Sequence, residues 1–147
     1  MNQGMAITLA AIGGAILPLQ VLVNARLAQG LSNATWAATV SFVIGTAGLL
    51  TWLLLSRQGG ASWGPAMSLP WWAWFGGLLG AVYVTVTILA VPVIGATALV
   101  LLVILGQMVA GTVLDHFGIL TEAQPINLQK LLGLALVLGG TWLVVKN

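Results

Sequence analysis

The chain has 147 residues, 60% of them hydrophobic, with only four Lys or Arg and two Asp or Glu and a formal net charge of +2. A water-soluble domain of this length would carry about 37 charged side chains, so the solvent here is lipid. Four scattered cations build no basic patch, which excludes nucleic acid as a partner, and the absence of Cys removes disulfides, thiolate nucleophiles and cysteine metal sites.

Crossing a hydrocarbon core about 30 Å thick takes about 20 helical residues. Five apolar runs meet that length, at residues 5–28, 34–55, 71–90, 94–117 and 128–145. Unpaired backbone groups in lipid cost several kcal/mol each, and segments of this length satisfy them as helices. The predicted fold is therefore all-α, a single five-helix transmembrane domain covering residues 1–147. The first run is not a cleaved signal peptide, because it lacks a basic start, is too long and carries Arg26 at its far end. Gly59, Gly60, Gly64, Pro65 and Pro70 mark a loop between the second and third helices, and Pro125 marks another between the fourth and fifth. Trp52, Trp71, Trp72 and Trp74 fall near one membrane face and Trp36 and Trp142 near the other, with Trp63 in the long loop, as aromatic belts require.

Polar side chains within the spans are few. In the first helix Gln20 and Asn24 stand four apart on one face, just past Pro18, whose ring removes the hydrogen bond to the Gly14 carbonyl and is expected to kink the helix. Two amides beside a freed carbonyl form the leading candidate for a binding surface. Arg26, near the end of that helix, suits an anchor that snorkels to the headgroups. Ser41 on the second helix and Gln107 on the fourth are candidates to add hydrogen-bonding groups to the same cavity. Thr85 and Thr87 are expected to bond back to their own helix. Asp115, in the last turn of the fourth helix, opposes the helix dipole and is expected to face water or pair with Arg57 or Lys130, in an interfacial, gating or ion-coupling role. His116 beside it lacks partners, and Glu122 belongs to a loop.

No carboxylate lies at mid-membrane, which disfavours a proton-driven cation exporter. One His and two separated acids supply neither a catalytic constellation nor a metal site, so no enzyme activity and no cofactor are expected. Small residues at spacing four support close helix packing: Gly76 and Gly80, Ala37, Ser41 and Gly45, Gly106 and Ala110, with Gly133 and Gly140 one heptad apart.

Five spans place Arg57 and Lys130 on one membrane face and Arg26 and Lys146 on the other. The positive-inside rule is tied, and insertion in both directions is the expected result. Many transporters hold substrate between two halves of opposite orientation; two inverted copies of this chain would supply them as an antiparallel homodimer of ten helices. The expected function is secondary transport of a small solute by alternating access. The mainly neutral lining favours a neutral, zwitterionic or hydrogen-bonding solute over a lone cation. A small dual-topology channel is the nearest rival, but the polar residues are too few for a continuous file across the bilayer. A noncatalytic membrane subunit of a larger complex is the other.

Three stretches extend this reading. PLQVLVNARLA followed by WAATVSFVIGT, then GATALVLLVILGQMVAGTVLDHFG, then PINLQKLLGLALVLGGTWLVV, make the chain similar to the small five-helix YdcZ-like branch of the drug/metabolite transporter superfamily. The resemblance runs through nearly the whole chain. It implies a bacterial inner-membrane protein, antiparallel five-helix pairs and a transport function, with Gln20, Asn24, Ser41, Gln107 and Asp115 at family positions.

Overall fold

A computed structural model describes residues 2–57, 59–119 and 122–146. Its long helices are α1 (Gln3–Leu31), α2 (Ala34–Leu55), α4 (Gly76–Ile94), α5 (Ala96–Phe117) and α6 (Leu128–Val145), with a five-residue α3 (Trp63–Met67) and a 3-10 turn over Trp71–Phe75 in the second connection. The 3-10 turn runs directly into α4, so the third span covers Trp71–Ile94. Among the described residues, five helices are long and apolar enough to cross a membrane.

Asparagine starts three of these helices. The Oδ1 of Asn2, Asn33 and Asn127 accepts from the backbone N–H of Met5, Trp36 and Lys130 at 2.8, 3.0 and 2.8 Å, each satisfying a donor the helix itself leaves open. Between α1 and α2 the chain reverses over Ser32 and Asn33. Ser32 takes the left-handed conformation at φ 52°, and the Asn33 N–H returns to the Ala28 carbonyl at 3.1 Å, a helix-closing arrangement in which Asn33 also serves as the cap of α2.

The sequence expectation for the spans at 34–55 and 128–145 coincides with α2 and α6. Three spans differ. α1 extends beyond 5–28 at both ends, because Asn2 caps it earlier and Ser32 ends it later. The third span continues past residue 90 to Ile94 with Pro92 inside it; a proline in the last turn forfeits one hydrogen bond without stopping the helix. The break falls instead at Gly95, φ 77°, which moves the start of the next helix from 94 to Ala96. Trp63 lies in a single helical turn rather than an irregular loop. Pro18 sits within α1 without ending it.

The chain divides into two compact units, Met1–Leu89 and Ala90–Asn147. In the first, Ala37, Ala38, Val84 and Ile88 form the core, flanked by Leu27, Ala28, Ala34 and Tyr83. Ala34, Ala37 and Ala38 keep that face of α2 low enough for its neighbours to approach. One glycine of the expected packing pairs is used: a Cβ at Gly80 would stand 3.4 Å from the Phe42 ring, whereas Gly76 meets open space. In the second unit α5 and α6 pair across the turn that follows Gly118. That residue has φ 63°, and a Cβ on it would approach Ala123 to 3.1–3.3 Å. Gly106, Gly133 and Gly140 have nothing within 4 Å of where a Cβ would be.

Candidate functional site

Among the described residues, Asn24 is the candidate amide that the fold encloses. It lies on α1 with 4% of its surface exposed, and its Nδ2 is buried with no hydrogen-bond partner among the described residues. Gln20, one turn earlier on α1, is exposed, and Ser41 on α2 is half-buried. The two amides of α1 therefore occupy different environments. Gln107 is exposed on α5, in the second unit.

Sequence reasoning missed a groove on the first unit. Thr35, Ala38, Thr39, Phe42, Val43 and Thr46 of α2 and Ala81 and Thr85 of α4 line an open cleft of about 450 Å³. Thr39 and Thr85 donate their hydroxyl protons to their own helices, to the carbonyls of Thr35 and Ala81 at 2.9 and 2.8 Å. Thr87 does likewise, to Val84 at 2.9 Å, as expected for threonines in apolar helices. What Thr39 and Thr85 leave facing the cleft is hydroxyl lone pairs, so the groove is neutral, mainly apolar and accepts hydrogen bonds. The signal for it was present: Thr35, Thr39 and Thr46 recur at spacings of four and seven on one helical face.

The ionised residues lie near helix ends. Arg26 Nη1 donates to Gln29 Oε1 at 2.9 Å on the exposed side of α1. Asp115 Oδ2 stands 3.7 Å from Lys130 Nζ, the side chains 39% and 29% exposed, so Lys130, one of its two expected cationic partners, is brought to it. They join the last turn of α5 to the first turn of α6. The backbone N–H of Gln124 also donates to the Asp115 carbonyl at 2.8 Å, tying the connection to the same turn. A second cleft, about 620 Å³, opens here between Met108, Gly111, Thr112 and Asp115 of α5 and Asn127, Gln129, Lys130 and Gly133. His116 packs edge-on against Phe117 at 5.1 Å. Among the described residues no group of three His, Cys, Asp or Glu is placed to hold a metal ion.

Residues 5–143 match the family described as "Putative inner membrane exporter, YdcZ". The chain belongs to the YdcZ family. It is also 27% identical over 150 residues to the inner membrane protein YdcZ of Escherichia coli strain K12, an alignment that covers all of this chain and 99% of that relative. No solved structure matches it. Family membership and five apolar helices identify an integral inner-membrane protein, of a family whose description is consistent with a transporter.

Proposed function

We propose that the protein is a secondary transporter that exports a small neutral, zwitterionic or hydrogen-bonding solute, working by alternating access as an antiparallel homodimer. The observation that carries the reading is the Asn24 Nδ2, buried without a hydrogen-bond partner among the described residues, in a helix of a protein whose family is described as "Putative inner membrane exporter, YdcZ". Buried polar groups are nearly always hydrogen-bonded, and leaving one unpaired costs about 1–3 kcal/mol. A donor held in that condition is accounted for by a partner that arrives, and a transported solute is such a partner. Gln20 and Ser41 are assigned to the same solute path, and Gln107 of α5 is a separate candidate in the second unit. The Thr35, Thr39 and Thr85 groove supports a neutral lining. Arg26 and Asp115, near helix ends, are assigned to anchoring and gating.

The homodimer rests on the tied charge count, Arg57 and Lys130 against Arg26 and Lys146, and on the need of such transporters for two inverted halves. Its test uses that tie. Arg57→Gln with Lys130→Gln should drive every molecule into one orientation, and Arg26→Gln with Lys146→Gln into the other. Single cysteines, introduced into a chain that has none, report the orientation by labelling. Each biased variant alone should fail to move solute in liposomes, and co-expression of the two should restore flux. Full flux from either one alone, with uniform labelling, would defeat the dimer. Loss of flux with Asn24→Ala tests the solute site, using a panel of uncharged and zwitterionic solutes.

A further inference from the structure

The cleft between α5 and α6 has a different composition from the neutral groove of the first unit. At its mouth stand a carboxylate, an ammonium and the side chains of Asn127 and Gln129; below them lie Gly111, Gly133, Met108 and Thr112, whose hydroxyl donates to the Met108 carbonyl. Asp115 and Lys130 sit in the turns flanking one connection, so both belong to the same membrane face, at the depth of the headgroups. From Asp115 to Met108 is seven residues, about 10 Å along the helix, so the cleft runs from headgroup depth into the hydrocarbon. Gly111 and Gly133 leave that lower part open, since a Cβ added at either would meet nothing within 4 Å.

The charge pair is loose. At 3.7 Å it exceeds the 2.7–2.9 Å of a charge-assisted hydrogen bond, and Lys130 Nζ is shielded from solvent while making no hydrogen bond among the described residues. An ammonium at the edge of lipid with its three donors unused has capacity for an anion. The adjacent carboxylate would repel a simple anion and attract a cation. A ligand that carries both charges, aligned antiparallel to the Lys130–Asp115 pair, meets both demands without breaking it.

We infer that this cleft binds a zwitterionic phospholipid headgroup with a primary ammonium, of the phosphatidylethanolamine type, the phosphate on Lys130, the ammonium on Asp115, and the glycerol and upper acyl chain over Gly111 and Gly133. A lipid source is favoured over a free solute because the cleft is polar at headgroup depth and apolar beneath, and because the exposed Leu131 and Leu132 of α6 continue an acyl-compatible surface from it.

The test measures lipid retained by the purified protein in native mass spectrometry, with phosphatidylethanolamine, phosphatidylcholine and phosphatidylglycerol of identical chains, alongside the thermal shift each produces. The full-length protein should retain phosphatidylethanolamine over phosphatidylcholine by about fivefold, the scale of one charge-assisted hydrogen bond at a half-exposed site. Lys130→Gln should lower retention of phosphatidylethanolamine and phosphatidylglycerol alike, and Lys130→Arg should keep it. Asp115→Asn should erase the preference over phosphatidylcholine. Gly133→Leu, which fills the cleft and leaves the charges in place, should lower retention of all three. Equal retention of phosphatidylethanolamine and phosphatidylcholine by the unaltered protein, or a preference that survives both charge substitutions, would overturn the assignment. So would full competition by soluble O-phosphoethanolamine, since the site would then belong to a free zwitterion. None of these measurements depends on flux, so their outcome is independent of the transport proposal.

Discussion

In the first unit the polar side chains away from the helix ends are neutral: Asn24 is enclosed, Thr39, Thr85 and Thr87 return their protons to their own helices, Gln20 is exposed, and the charges of Arg26 and Arg57 lie near or just past helix ends. In the second unit the polar groups of the cleft are concentrated where α5 ends and α6 begins, and they include a carboxylate and an ammonium. The difference follows from depth. A neutral amide or hydroxyl in lipid costs a hydrogen bond, which a helix carbonyl or a solute can return. An ion costs several times more, so it is kept to the helix ends, where water and headgroups screen it. The first unit is thus suited to hold an uncharged hydrogen-bonding group away from water, and the second to hold charge at the boundary.

The largest effect expected from this contrast is at Asn24. Asn24→Ala removes a buried donor that nothing among the described residues satisfies, so the melting temperature should hold or rise while solute flux falls about tenfold or more, the scale of one lost buried hydrogen bond to ligand. A fall in stability with unchanged flux would mark the amide as structural and erase the functional side of the comparison.

Next comes Gly118, whose turn carries the charged boundary. Gly118→Ala places a Cβ at positive φ and against Ala123, and should destabilise the α5–α6 unit by about 1–3 kcal/mol, read as a lower melting temperature in detergent. The same substitution at Gly106, where no atom lies within 4 Å, should be neutral or slightly stabilising. Asn127→Ala removes the cap on α6 and should cost about 1 kcal/mol. It should also fray the turn that holds Lys130 and weaken lipid retention in proportion. The smallest expected effect is at Thr85. Thr85→Val keeps the shape and deletes a hydroxyl whose proton is already committed to Ala81, so stability should change by less than about 0.5 kcal/mol. A severalfold change in flux would bring the threonine groove into the solute path, and an unchanged flux would confine that path to Asn24.

Where the chain enters and leaves lipid was largely legible beforehand. Apolar runs of about 20 residues mark α2 and α6 by local chemistry that does not depend on neighbours, while the caps at Asn33 and Asn127 and the left-handed Gly118 that ends α5 came from the structure. The third span ends later than expected, at Ile94 rather than residue 90, because a proline at position 92 is tolerated in a last helical turn. The polar inventory was legible as a set of residues and not as an arrangement: Gln20 and Asn24 share a face by spacing, and only the packing of neighbouring helices seals one and leaves the other exposed.

What composition and periodicity settled is the solvent, the number of spans and the even division of positive charge, because each is a sum over residues or a property of one helix at a time. Tertiary structure decided which amide is enclosed, which threonines share a groove, and that Asp115 meets Lys130 at 3.7 Å. Those depend on rotation of one helix about its axis against another. In chains this uniformly apolar no hydrophobic stripe fixes that rotation, and small-residue packing does.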